Sequence, residues 1–172
     1  MTTLADTGAV YALIDQSDVW HPSILNWWRK ATDTVLLPVT ILPEVSHLLR
    51  GRIGPLAEEA FLSSVASGEF FIEPLDTIPD TERATRIMAS QRDSGMGFVD
   101  ATIVAMAERL GVTEILTTDR SHFSTVRPAH TPGFTLYPQR LHQSLRRFEG
   151  WPRLSFRRTQ DRSQDPSPDG SS

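Results

Sequence analysis

Four carboxylates in this chain stand at places where backbone and side-chain chemistry meet. Asp6 closes the short apolar run Leu4-Ala5 and is followed by Thr7-Gly8. Asp119 closes the run Glu114-Ile115-Leu116-Thr117-Thr118. Glu44 and Asp100 each fall near the start of an apolar-patterned segment, one running from Ile41 and one from Phe98. If the four share a small volume, each pair repels by about 3 kcal/mol at about 5 Å and an effective dielectric near 20. Either some of them hold protons or a cation sits among them. The chain has no cysteine, and no histidine at matching spacing, so the donors are oxygens and the fitting ion is hard, Mg2+ or Mn2+. Such an ion activates water and clamps phosphate oxygens, which makes phosphodiester hydrolysis the natural chemistry. Thr7 and Thr118 adjoin the acids and are candidates for hydrogen bonds to a ligand or a bound water. Arg120 and His122 follow Asp119 closely and are candidates for contact with phosphate.

Convergence depends on the elements that carry these residues. The opening reads as strand, tight turn and helix, with helix spacing at Val10, Leu13 and Ile14. His21 to Ala31 reads as a helix, Thr34 to Leu37 as a strand stopped by Pro38, and Ile41 to Arg50 as a helix capped by Thr40 and broken at Gly51 and Gly54. A helix from Leu56 to Ser67, a strand at Phe70 to Ile72, and a helix from Thr81 to Arg92 capped by Asp80 come next. Phe98 to Leu110 is a strongly apolar helix closed by Gly111, and a strand follows over Glu114 to Thr118. Phe134 to Tyr137 suggests a fifth strand and Arg140 to Phe148 a last helix. Strands alternating with helices predict an α/β fold, a four- to five-stranded parallel sheet flanked by helices on both faces. In such a sheet every helix that follows a strand begins at the edge where strands end. Asp6, Glu44, Asp100 and Asp119 are therefore all expected at that one edge.

Taken singly, each acid has a plainer reading. Asp6 is a good helix N-cap, Asp100 suits a helix start, Glu44 suits a solvated helix face and Asp119 suits a turn. Their joint placement is what marks a site.

The bulk numbers limit the alternatives. With 172 residues the chain can form one domain with a real core, expected over residues 1–150. Residues 151–172 read as a polar, disordered tail, and the part from Arg157 onward is expected to be dispensable because it has almost no apolar residues to offset its ordering entropy. Net charge is −4, and Lys30 is the single lysine, so almost all the basic charge is arginine. The absence of cysteine excludes a disulfide framework and thiolate metal sites. No stretch resembles a signal peptide or approaches a membrane span, so a cytoplasmic protein with no membrane contact is expected.

Four stretches carry a family resemblance. They are Asp6-Thr7-Gly8-Ala9-Val10-Tyr11-Ala12, Pro43-Glu44-Val45, Phe98-Val99-Asp100-Ala101-Thr102-Ile103-Val104-Ala105-Met106-Ala107, and Leu116-Thr117-Thr118-Asp119-Arg120-Ser121-His122-Phe123. Together they resemble the motifs of PIN-domain ribonucleases, most of all the VapC-type toxins of toxin–antitoxin pairs. The resemblance spans about residues 2 to 137. It implies a Mg2+- or Mn2+-dependent endoribonuclease acting on RNA, a parallel sheet, a homodimer and a small antitoxin partner. Asp6, Glu44, Asp100 and Asp119 fill the acidic positions, with Asp6, Asp100 and Asp119 as the metal ligands and Asp119 acting partly through water. Gly8 departs from the alanine or serine common at its position, a change expected to leave catalysis untouched.

Other readings are weaker. Asp6-Thr7-Gly8 is also the signature of aspartic proteases, but that fold is all-β. An inert protein-binding module that kept the acidic cluster, and a nuclease acting on DNA, remain as alternatives. For a partner surface, Ile24, Leu25, Trp27 and Trp28 give the helix from His21 more apolar area than one face needs. Tyr11 and Leu13 add to that supply.

Overall fold

A computed structural model of the chain describes residues 2–32 and 34–139. Strand β1 (Thr2–Ala5) is central, and helix α1 (Thr7–Ile14) leaves it directly. Helix α2 (His21–Lys30) leads to β2 (Thr34–Pro38), which pairs with β1 in parallel. A 3-10 turn at Val39–Ile41 opens α3 (Leu42–Arg52), and α4 (Pro55–Ala66) returns the chain to β3 (Phe71–Glu73). Helix α5 (Thr77–Ser90) and α6 (Phe98–Leu110) then cross to β4 (Glu114–Leu116). The short helix α7 (Arg120–Thr125) precedes β5 (Thr135–Tyr137). All four strand pairings are parallel, in the order β3-β2-β1-β4-β5.

That order fixes where the helices lie. From β1 the chain steps outward to β2 and β3, then doubles back past β1 to β4 and β5. Right-handed crossovers put the helices of the outward steps on one face and those of the return on the other. The packing agrees: α1 packs on α2 and α3, α3 on α4, and α5 on α6. Between them the core holds Leu4, Val10, Leu37, Ile41, Ile103, Met106, Ile115 and Leu116, each with no measurable exposure. Helix α6 is buried without a break from Ala101 to Ala107, which is why its sequence is apolar all round. Strand order reverses between β1 and β4, and in open α/β sheets the carboxyl ends at that point are the usual ligand position.

Some boundaries differ from expectation for local reasons. Helix α5 begins at Thr77, so Pro79 lies inside its first turn, where a missing N–H does no harm. Asp80 is therefore not an N-cap. It is buried, accepts the Asp76 amide at 2.8 Å, and takes Arg109 Nε and Nη2 at 3.0 Å each. Thr40 does not cap α3 either; its hydroxyl bonds Thr102 at 2.9 Å and ties the 3-10 turn to α6. Gly51 is helical, and α3 runs on to Arg52.

The apolar surplus of α2 also has a structural use. Trp27 stacks on Tyr137 with ring centroids 5.5 Å apart, and Trp28 meets Phe70 edge-on at 6.0 Å. Tyr11, Leu13 and Ile24 are core. The expected partner surface is thus largely internal packing, with both tryptophans half-buried. The expected helix over 140–148 and tail over 151–172 lie outside the described residues. No helix among the described residues is long and apolar enough to cross a membrane.

Candidate active site

The register of β1 against β4 builds the centre of the site. Ala5 pairs with Leu116, and the Asp6 amide donates to the Leu116 carbonyl at 3.0 Å. One step further along each strand, Asp6 and Thr117 come side by side. Asp6 is the N-cap of α1 and accepts the Ala9 amide on Oδ1 at 2.6 Å. Its other oxygen accepts the Thr117 hydroxyl at 2.5 Å. Thr117 is fully buried, and its Oγ1 also accepts the Asp119 amide at 2.9 Å. One hydroxyl therefore joins the carboxylate after β1 to the backbone after β4.

Burial sets the electrostatics. Asp6 is 4% exposed, and loss of solvent pushes its carboxyl up to about 7, against the hydrogen bonds from Thr117 and Ala9. The charges of Asp100 and Asp119 push in the same direction as burial. Asp100, in the first turn of α6, is also raised by burial and by the charges of Asp119 and Glu44, with His122 opposing. Asp119 goes the other way. Partial burial alone would raise it, but the hydroxyl and amide of Ser121 and the nearby His122 hold it low. It is the N-cap of α7 and accepts both Ser121 groups on Oδ1, at 2.5 and 3.0 Å.

Two further contacts join the acids to their surroundings. His122 Nδ1 stands 2.8 Å from Asp100 Oδ2 and 3.7 Å from Asp119 Oδ2, so one imidazole faces two of the carboxylates. Thr7, at the start of α1, donates its hydroxyl to Glu44 Oε2 at 2.7 Å. Each acid is thus held by a named donor: Thr117, Thr7, His122 or Ser121. The acids influence one another's protonation across the crevice, yet among the described residues no three His, Asp or Glu side chains are drawn into a ready-made ligand cage.

The candidates from sequence divide accordingly. Asp6, Asp100 and Asp119 are brought together, Glu44 adjoins them through its charge on Asp100, and Thr7 and His122 hold two of the four. Arg120 donates from Nη1 to the carbonyls of Leu136 at 3.3 Å and Pro138 at 2.9 Å, fastening the end of β5. Thr118 makes no hydrogen bond among the described residues; its hydroxyl fills the space over Gly8. A Cβ built on Gly8 would stand 2.2 Å from Thr118 Oγ1 and 3.7 Å from Asp6 Oδ1. A side chain at position 8 would therefore oblige the Thr118 hydroxyl to move. Thr117 is the site residue that its sequence context does not single out. Its signal lies in register: it directly follows β4, and with Ala5 opposite Leu116 it falls beside Asp6. Exposed apolar side chains at this edge are Val39, just past β2, and Phe98, at the head of α6.

Asp6, raised chiefly by burial, lies where β1 and β4 adjoin in this α/β sheet, and similarity to known proteins gives the family. The PIN domain profile matches residues 3–127. The chain belongs to the PIN domain family, in its VapC-type branch. It is 30% identical over 135 residues to ribonuclease VapC26 of Mycobacterium tuberculosis, covering 78% of this chain and 99% of that protein. Mycobacterium tuberculosis VapC20, a sarcin–ricin loop cleaving toxin, superposes with a TM-score of 0.65 at 24% identity, over 70% of this chain and 92% of its own. DNA-bound VapBC from Salmonella typhimurium gives 0.57 at 16% identity, over 79% and 96%. Both solved structures share the fold.

Proposed function

We propose that this chain is a Mg2+- or Mn2+-dependent endoribonuclease, the toxin component of a toxin–antitoxin pair, acting in the cytoplasm. The observation that carries the reading is the linked set of acids where strand order reverses: Thr117 joins Asp6 to the Asp119 backbone, and His122 faces both Asp100 and Asp119. Asp6, Asp100 and Asp119 are the residues that would hold the ion, and their all-oxygen donor set fits a hard cation. When bound, the ion supplies a Lewis acid that activates water and neutralises the phosphodiester. The chain's own residues prepare the site. Thr117 and the Ala9 amide fix both oxygens of Asp6. His122 orients Asp100, and Ser121 orients Asp119. Thr7 turns Glu44 toward the same crevice, where it adds negative charge.

The partner in this reading is a small antitoxin. Support comes from VapC-type membership and from the chemistry of the edge: acidic groups can receive an arginine through paired hydrogen bonds, and Val39 and Phe98 offer apolar contact beside them. The working unit is a homodimer. Sequencing of RNA ends after expression in cells tests the function. New ends at a defined site, absent with Asp100→Asn, are the expected result. An unchanged RNA population from folded protein would overturn it, and preferential cleavage of DNA would redirect it.

A further inference from the structure

Most arginines of the folded domain are committed within it. Arg50 pairs with Glu58, Arg83 with Glu108, and Arg109 with Asp80 and Glu73. Arg120 and Arg127 donate to backbone carbonyls, and Arg52 lies over the Tyr11 ring. Arg92 is different. It is exposed, and its guanidinium makes no hydrogen bond or ion pair among the described residues. It stands on the 3-10 turn Arg92–Ser94, which packs against α7. Helix α7 starts from its N-cap Asp119 and carries His122, so Arg92 flanks the acids. Two other exposed cations lie elsewhere: Lys30 ends α2 ahead of β2, at the edge where strands begin, and Arg86 lies within α5.

The connection from this turn to α6 is held in place. The Ser94 hydroxyl donates to the Gln91 carbonyl at 2.9 Å, Gly95 turns the chain in the left-handed region at φ 68°, and Met96 is buried in the core. The chain then delivers Phe98, 44% exposed, as the first residue of α6. Phe98 and Thr102 are four residues apart and share a helix face. Thr102 bonds Thr40, on the 3-10 turn that also carries the exposed Val39. Phe98 therefore lies on the Val39 side of the α6 head. Asp100, two residues on, lies on the other side and meets His122 of α7. Asp100 and Asp119 thus stand between an exposed aromatic ring and an unpaired guanidinium. Stacking of bases on aromatic rings and contact of phosphates with cations are the two means by which proteins hold single strands. A duplex keeps its base faces stacked and would offer none to the ring.

We propose that a single-stranded RNA crosses the acidic edge between Phe98 and Arg92, with one base stacked on the Phe98 ring and a neighbouring phosphate on the Arg92 guanidinium. The proposal rests on the ribonuclease reading for its choice of ligand. An antitoxin seated on Phe98 would take the place of that base.

The test is binding of a labelled single-stranded RNA oligonucleotide of mixed sequence to the full chain in chelator, where no cleavage occurs, over a series of salt concentrations. Wild type is compared with Arg92→Gln, Phe98→Ala, Phe98→Leu and Phe98→Tyr. Both positions are exposed, so all four variants should melt as wild type does. Arg92→Gln is expected to lower the slope of log affinity against log salt by about 0.7, the contribution of one phosphate pairing on a single strand. Phe98→Ala should weaken binding at least about fivefold with the slope unchanged, since a stack carries no counterion release. Phe98→Leu should weaken it similarly, and Phe98→Tyr should bind as wild type does. Unchanged affinity in Phe98→Ala, or wild-type affinity in Phe98→Leu, overturns the stacking and leaves Phe98 to a protein partner. An unchanged slope in Arg92→Gln overturns the phosphate contact. Either result leaves a cleaving wild type as a ribonuclease. A wild type that binds no RNA overturns the proposal outright. One that binds but does not cleave when Mg2+ is restored, with both effects present in the variants, supports the proposal and defeats the ribonuclease reading instead.

Discussion

Asp6→Asn should make the metal-free protein more stable at alkaline pH while removing its activity. The Asp6 carboxyl titrates near 7 in the folded state, against an ordinary value of 3.8. The folded state therefore holds a proton that the unfolded chain releases between those values. Stability from this group is fully present below 3.8, declines as pH rises, and is flat again above about 7. At about 1.4 kcal/mol per pH unit the loss comes to about 4–5 kcal/mol, an upper bound because the buried charge can draw in water or shift its neighbours. Asparagine avoids that loss and keeps the contacts. Its carbonyl accepts the Ala9 amide, and its NH2 donates to Thr117 Oγ1, whose own proton can turn to the Asp119 carbonyl 2.9 Å away. Urea denaturation in chelator at pH 5, 7 and 9 measures the effect. Wild type should weaken steadily from pH 5 to 7, and the variant should not, so that the variant is more stable by about 1–4 kcal/mol at pH 9. A variant less stable than wild type at pH 9 would refute the picture of a buried, destabilised carboxylate.

Other perturbations follow from the same contacts. Thr117→Val removes the hydroxyl that Asp6 and the Asp119 amide share, and should cost about 1–3 kcal/mol by urea denaturation, with Thr117→Ser costing much less. Gly8→Ala should destabilise the wild type through overlap with Thr118 Oγ1, yet in a Thr118→Ala background the same change should stabilise by up to about 1 kcal/mol through helix propensity; the reversal of sign in thermal melts is the test. Truncation after Phe156 should leave the melting temperature nearly unchanged, and a large drop would show that the removed residues dock on the domain.

Much of this site is legible without coordinates because parallel α/β topology is strict about its edges. Asp6 and Asp119 follow strands as helix N-caps, and Glu44 and Asp100 lie in first turns of helices, so all four fall at one edge. What sequence does not carry is pairing. Thr117 reads as an ordinary β-forming residue until the register sets Ala5 opposite Leu116. His122 is visible three residues after Asp119, but its stronger contact is Asp100, 22 residues earlier, and no local pattern carries that. The tryptophans of α2 look surplus because a helix in isolation shows one core face, while Tyr137 and Phe70 come from distant parts of the sequence to meet them. Pro79 misplaces the start of α5, since a proline in a first turn and a proline before a helix look alike in sequence. The close packing at Gly8 is hidden in sequence because the hydroxyl that a Cβ would meet comes from position 118.

The most direct test of the central claim is cleavage of a single-stranded RNA by purified wild type, Asp6→Asn and Asp100→Asn, with Mg2+ or Mn2+ and with chelator. The acids at the β1/β4 crossover predict cleavage by wild type with metal only, none by either variant, and cooperative unfolding of all three proteins. Cleavage that persists in chelator, or in a folded Asp6→Asn or Asp100→Asn protein free of contaminating nuclease, would contradict the assignment of the site.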